Sequence, residues 1–194
     1  MNPNEISILI RNRRSVYPKN YSEEKVDNSV IQEMLENANW APTHRLTEPW
    51  RFTVFEGEGL KRLAEFQSGR YKSKAEEQGT FDDLKYTKLK TKPLSCSHII
   101  AIGMRRDPAG SIPEIEEVAA VSCAVQNMWL TASAYGVGCY WSTGSVTYDP
   151  EALEFFGLTR ADKLLGFLMI GMPANLPKGS RRGPIKEKIT WINR

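Results

Sequence analysis

Only two histidines, His44 and His98, occur among 194 residues, and neither stands in a cluster with cysteine. A zinc site of the usual Cys/His kind is therefore not expected. The three cysteines, Cys96, Cys123 and Cys139, are odd in number and show no Cys-x-x-Cys spacing. They read as reduced, mostly buried thiols of a cytoplasmic protein rather than a disulfide framework. No stretch approaches the ~20 apolar residues that cross a bilayer, and the opening "MNPNEISILIRNRR" lacks the apolar run of a secretory signal. The phosphate loop GxxxxGK[ST], the dinucleotide fingerprint GxGxxG and the nucleophile elbow GxSxG are all missing. With 26 basic residues set among 23 acidic ones, a net charge of +3 gives no reason to expect nucleic acid or membrane as a partner. If the chain is an enzyme, its hard chemistry belongs to a bound organic cofactor.

What is present is ordinary globular composition, 41% hydrophobic and 25% charged, in a length suited to one domain over residues 1–194. Ile6, Leu9 and Ile10 share a helical face, with Asn4 as the expected cap. Val30, Ile31, Met34, Leu35 and Ala38 follow the i, i+3, i+4 spacing of a buried stripe, with Asp27 as cap and Pro42 as terminator. The loop "APTHRLTEPW" carries two prolines and reads as shaped and surface-lying. "WRFTVFE", "SHIIAIGMRR", "GCYWSTG" and "DKLLGFLMIGMP" read as strands. Residues 58–92 are polar and helix-prone, which predicts one or two loosely packed helices or a lid.

Ser111 with Glu114 has the capping-box pattern ahead of a helix that is apolar or small on nearly every side, from Val118 to Ala132, and stops at Gly136. Such a helix must be buried all round, in the core or against another subunit. "DPEALEFFG" predicts a short helix capped by Asp149 and ended by Gly157. Helices and strands mix without regular βαβ alternation, which favours α+β.

One stretch asks for a reason. "IRNRRSVYPKNY" crowds Arg11, Arg13, Arg14 and Lys19 around a serine. Cations at a helix end complement its negative pole, but a cluster this dense also suits an anion. The order "RRS", "APTHRLTEPWRFTVFEGEG", an apolar helix, "GVGCYWSTG", "LLGFLMIGMP" and a basic tail resembles the FMN-dependent nitroreductase family, in its compact NAD(P)H nitroreductase branch, from about Ile6 to Trp191.

The resemblance implies a nitroreductase-like α+β fold, a mainly antiparallel sheet flanked by helices, and an intertwined homodimer with FMN in clefts between subunits. It implies that Arg13, Arg14 and Ser15 bind FMN. Bidentate, charge-assisted bonds from guanidinium to phosphate suit that role. It further implies flavin contacts from His44, from Trp40 (where relatives often carry arginine), and from Trp141, Ser142 and Thr143. Arg181 or Arg182 would meet the phosphate, with Arg182 favoured, and residues 131–136 would meet the nicotinamide nucleotide. Glu48 replaces the usual glutamine before Pro-Trp. Residues 176–194 would extend over the partner subunit.

The activity implied is an NAD(P)H oxidoreductase that passes hydride through FMN to a nitroaromatic, a quinone or a similar small acceptor, in ping-pong fashion, with no catalytic nucleophile or base. Two alternatives remain on the same fold: reduction of another substrate class, such as dehalogenation or enone reduction, and flavin binding without turnover. A basic interaction module without a cofactor is the third class.

Overall fold

The computed structural model describes residues 2–177, 179 and 182–193. Four strands, β1 (Trp50–Glu56), β2 (His98–Met104), β3 (Gly138–Ser142) and β4 (Lys163–Gly171), form one antiparallel sheet in the order β1-β2-β4-β3. All four coincide with the apolar or alternating runs of the sequence. β2 is buried at every position, as an interior strand covered on both faces must be. Its side chains alternate between two cores: Ile100, Ile102 and Met104 on one face, Ile99 and Ala101 on the other. β4 splits likewise into Leu168 and Ile170 against Phe167 and Met169.

The first core lies under α2 (Asn28–Ala38) and α5 (Glu114–Ala134), which supply Ile31, Met34, Ala38, Val121, Val125 and Met128. The second lies under α3 (Glu58–Glu77) and a 3-10 helix over Pro150–Phe156, capped by Asp149 and closed by Gly157 as expected. Phe66 stacks on Phe155 with ring centroids 3.8 Å apart. The expected α+β class, with an antiparallel sheet between helices, is what the chain adopts.

Several local expectations are corrected. α1 (Pro3–Asn12) is capped by Asn2, not Asn4: the Asn2 carboxamide oxygen accepts the Asn4 N–H at 3.0 Å, and Pro3 takes a first-turn position. α2 ends at Ala38, four residues before Pro42. No Ser111 capping box forms. The Ser111 N–H and hydroxyl both donate to Asp107, and α5 begins at Glu114 behind Pro113. Residues 58–92 are not uniformly loose: α3 buries a stripe from Leu60 through Leu63, Gln67 and Tyr71 to Ala75, whereas α4 (Asp83–Thr91) buries nothing.

The larger correction concerns α5, which is not covered all round. Ile115, Ala119, Cys123, Gln126 and Ala134 are exposed along one face, with Ile115 at 73%. Cys123 is thus an exposed thiol, against the expectation of burial, while Cys96 and Cys139 are buried. Burial pushes the Cys96 thiol up to about 12 and Cys139 higher still. In α1 the expected apolar face is also largely uncovered: Ile6 and Ile10 are exposed and Leu9 is half-buried. Among the described residues no helix is long and apolar enough to cross a membrane.

Candidate functional site

After α1 the chain runs along the outer edge of β3. The Val16 N–H donates to the Cys139 carbonyl at 2.9 Å, and Ser15 bridges Cys139 in parallel register. The approach is close enough that a Cβ on Gly138 would stand 2.9 Å from that of Val16, so a side chain at position 138 would push the segment off the sheet. Backbone direction alternates along a strand. Because the Cys139 carbonyl faces this edge, the N–H and carbonyl of Trp141, two residues on, face it too, beyond the point where Ser15 pairs.

The same docking places the basic cluster. Arg13 lies over the Trp129 ring of α5, 4.5 Å from its centroid, and the Trp129 indole N–H donates to the Arg14 carbonyl at 3.2 Å. Arg14 donates one arm to the carbonyls of Arg11 and Arg13, at 2.5 and 2.9 Å. The tail returns here: a Cβ at Gly179 would meet the Arg14 guanidinium at 2.5 Å. Burial lowers the pKa of Arg13, and the positive charges of Arg182 and Arg14 lower it further. Arg13, Arg14 and Arg182 are therefore gathered in one place. Among the described residues neither Arg13 nor Arg14 is paired with a carboxylate. Arg181 lies outside the described residues. The guanidinium groups of Arg13 and Arg14, with no carboxylate partner among the described residues, beside a serine and the edge of β3, fit the phosphate and ribityl chain of a flavin nucleotide.

Further along β3, Tyr140 packs on Tyr17 with centroids 4.5 Å apart. Trp141 gives its indole N–H to the Leu165 carbonyl at 3.0 Å and packs its ring on the first core, so only its backbone is turned to the open edge. Ser142 and Thr143 reach a cavity of about 170 Å³ with Lys92, a residue that sequence reasoning missed. The Lys92 ammonium donates to the Ser142 hydroxyl at 3.4 Å and sits 5.2 Å from the Tyr140 ring centroid.

His44 is elsewhere. The His44 Nδ1 pairs with the Glu116 carboxylate at 2.5 Å in the first turn of α5. Trp40 is 78% exposed at the end of α2, its indole N–H on Glu36. The loop holding His44 has three non-glycine residues in the left-handed region, Arg45, Leu46 and Glu48, at φ 51°, 53° and 44°, a conformation that the surroundings must enforce. Glu116 and Trp129 mark the two groups on one helix. Thirteen residues at about 1.5 Å each put them roughly 20 Å apart along α5. One chain does not bring His44 to the arginines. Residues 131–136 form the last turn of α5 and its exit, and Thr131 shares an open groove with Leu9, Trp40 and Tyr135.

Comparison with known proteins gives this geometry a setting. A model of the nitroreductase family matches residues 10–172. The Bacillus subtilis protein YfhC, which bears the provisional name of an NAD(P)H nitroreductase, is 30% identical over 186 residues, covering 94% of this chain and 91% of its own. The solved nitroreductase-like protein of Bacillus cereus is 31% identical with a TM-score of 0.81 over 100% of this chain and 99% of its own. A Bacteroides fragilis nitroreductase solved with bound FMN shares the fold at 22% identity and TM-score 0.70, over 98% of this chain and 100% of its own.

Proposed function

The chain belongs to the nitroreductase family of oxidoreductases, and from that premise we propose that it is an FMN enzyme. In this reading it draws electrons from NAD(P)H and delivers them to a small electron-poor acceptor such as a nitroaromatic or quinone. FMN, when bound, supplies the redox chemistry, accepting electrons from the donor and passing them to the acceptor. The chain's own groups bind and orient. Arg13, Arg14 and Arg182 hold the phosphate, Ser15 adds a hydroxyl donor, and the Trp141 backbone with Ser142 and Thr143 borders the ring system. Positive charge gathered at one end of the cleft favours the added negative charge of the reduced state. No side chain has to act as nucleophile or base.

The observation that carries the reading is the Arg13–Arg14 cluster on the edge of β3, which has no carboxylate partner among the described residues. The roughly 20 Å between it and His44 supports a second inference, that two chains complete each site. If α5 packs antiparallel on its copy, the Glu116 end of one helix lies against the Trp129 end of the other when the two-fold axis passes near Cys123. That is where the exposed small-residue face of α5 is centred. Such an isologous contact repeats itself and forms two identical clefts. His44 then reaches the flavin held by the partner chain, and the apolar tail residues Ile189, Trp191 and Ile192, all exposed in one chain, lie over the partner.

The test is the absorbance spectrum of the purified protein, with the released flavin identified, followed by anaerobic addition of NADH or NADPH. A yellow protein that releases FMN and bleaches with either donor supports the enzyme. A yellow protein that neither donor bleaches leaves a flavin carrier, and a colourless one that takes up no FMN ends the proposal.

A further inference from the structure

A second cavity, of about 350 Å³, lies between the later half of α3, the first turn of α4 and residues 145–149. None of the residues assigned to the flavin lines it, and Lys92 does not line it either. Lys85, its contribution from α4, stands seven residues before Lys92, roughly 10 Å along the helix.

Three cations, Arg70, Lys74 and Lys85, and one carboxylate, Asp149, line the space. Asp149 is 3% exposed and fully engaged. It accepts Arg70 Nε and Nη2 at 2.9 and 2.7 Å, Lys74 Nζ at 2.8 Å and the Glu151 N–H at 3.1 Å. Burial acts to raise its pKa, but the bonds from Lys74 and Arg70 outweigh burial and hold it below the ordinary carboxylate value. Arg70 Nη2 also reaches Glu151 at 2.7 Å, so two carboxylates balance Arg70 and Lys74. Lys85 has no such balance. Among the described residues its ammonium makes no ion pair and stands 4.5 Å from the centroid of the Tyr71 ring. The nearby Asp82 carboxylate is turned to the helix cap, where it accepts the Lys85 N–H at 3.1 Å, and it does not line the cavity.

Hydrogen-bond donors remain around this excess charge. Lys74 has two ammonium protons beyond the one directed at Asp149, and Arg70 Nη1 makes no hydrogen bond among the described residues. The hydroxyls of Thr80 and Ser145 line the same space. Convergent N–H and O–H donors around an unmatched cation suit a tetrahedral oxyanion. Ala75 and Val146 add an apolar side, and a cleft of this size takes a small organic ligand rather than a bare ion.

We propose that this cavity is a separate binding site for a small phosphate monoester, with Lys85 as the charge partner, Lys74 and Arg70 Nη1 as further donors, and the organic body of the ligand against Ala75 and Val146. The site stands apart from the flavin cleft and does not depend on the function assigned to that cleft. Free phosphate offers the same charged group, and an ester differs from it by filling the rest of the space. The ligand also has a structural consequence. α4 buries none of its side chains, and a phosphate shared by Lys85 and Lys74 ties it to α3.

The experiment is calorimetric titration of ribose 5-phosphate, inorganic phosphate and ribose into the protein, with and without saturating FMN. One ribose 5-phosphate binds per chain, more tightly than ribose by about tenfold or more, the factor that a charge-assisted hydrogen bond supplies. Inorganic phosphate binds more weakly than the ester, and amide hydrogen exchange in α4 slows when the ester is bound. Lys85→Gln weakens the ester by about tenfold, and Lys85→Arg retains most of the affinity. Lys85 is exposed, so Lys85→Gln keeps the fold, which its unfolding temperature without ligand checks. Lys90→Gln removes a cation from the same helix that does not line the cavity, and it leaves the affinity unchanged. Equal binding of ribose and its phosphate, or an unchanged affinity in Lys85→Gln, would overturn the proposal. An equal loss in Lys90→Gln would do so by showing diffuse attraction to a basic surface. Inorganic phosphate binding as tightly as the ester would assign the site to the free anion and overturn the ester. Loss of ester binding on addition of FMN would assign the cavity to the cofactor and overturn a separate site.

Discussion

Replacing Arg13 by alanine separates binding from folding, because the two costs differ in size. Among the described residues the side chain packed against the guanidinium is the Trp129 ring, 4.5 Å from its centroid, a contact worth about 0.5–1 kcal/mol at a partly exposed site. Against that stand the like charges of Arg14 and Arg182, both of which act to lower its pKa. Removing Arg13 loses the ring contact and relieves the repulsion, so apoprotein stability should change by less than about 1 kcal/mol. With FMN the balance reverses. A charge-assisted hydrogen bond to phosphate contributes about 1.5–3 kcal/mol, so Arg13→Ala should raise the FMN Kd by roughly ten- to a hundredfold. Arg13→Lys, which keeps charge but not the planar fork, should fall between. Flavin fluorescence titration at low and high salt gives the affinity, with a shallower salt dependence expected in the variant, and thermal unfolding of the apoprotein gives the stability. An Arg13→Ala protein that binds FMN within about threefold of wild type, or whose apo form loses several kcal/mol, would refute the reasoning.

Two further predictions address the assembly and the pH response. Ala119→Arg places a large cation on the exposed face of α5. It should leave the fold of the chain intact, convert a dimer to a monomer in sedimentation, and lower FMN retention. In wild type Cys123 should react slowly with a thiol reagent and in the variant quickly, while the buried Cys96 and Cys139 stay slow in both. A wild-type protein that is monomeric with one fast thiol would contradict this. His98 is buried, with the Ser97 hydroxyl 3.0 Å from Nδ1 and the Asn28 carboxamide oxygen 2.8 Å from Nε2. The Val26 N–H donates to that same Ser97 hydroxyl, which leaves the hydroxyl proton for Nδ1, and Nε2 lies within reach of both Asn28 and the Glu56 carboxylate, partners that a neutral ring satisfies with its proton on Nε2. Burial lowers its pKa, against an opposing pull from Glu56. The unfolded chain then takes up a proton below about pH 6.5 that the folded chain resists. The His98 contribution to stability is present above that pH and is lost as the pH falls toward the folded value. Urea midpoints between about pH 5 and 7.5 should slope less in His98→Gln, and parallel slopes would count against it.

The strands were legible because burial on both faces leaves nothing but apolar residues, and β2 and β4 are such runs. The helix starts were less so. Asn2 and Asn4 are both good caps, and the choice between them is made by Pro3, whose ring fits only just inside the helix. Ser111 was misread because an Asp107 carboxylate, four residues upstream, competes for its N–H and hydroxyl. The site divides in the same way. Arg13, Arg14 and Ser15 stand out in sequence as a dense cationic cluster, and the fold gathers them. Lys92 does not stand out, because Lys85, Lys88 and Lys90 precede it in one polar helix and only tertiary packing selects the one turned toward Ser142. Cys123 was misjudged for a related reason. A residue covered by its own core and one that awaits a second copy of the chain carry the same small or apolar signature.

That ambiguity bears on how flavin and assembly depend on each other. α5 presents one face to the core and fixes a cation cluster near one end and His44 near the other, roughly 20 Å apart, so one chain does not bring the two groups together. If the two halves meet only across the dimer, FMN binds the dimer and not the monomer, and by mass action it must strengthen the association that creates its site. The coupling is reciprocal. A weakened α5 contact should appear as weaker flavin binding in dilute solution and be restored by raising the protein concentration. Loss of Arg13 should weaken the flavin at every concentration, because the missing group belongs to the site and not to the contact. The concentration dependence of flavin loading therefore distinguishes a residue that holds the cofactor from one that holds the partner, even where the two lie on the same helix.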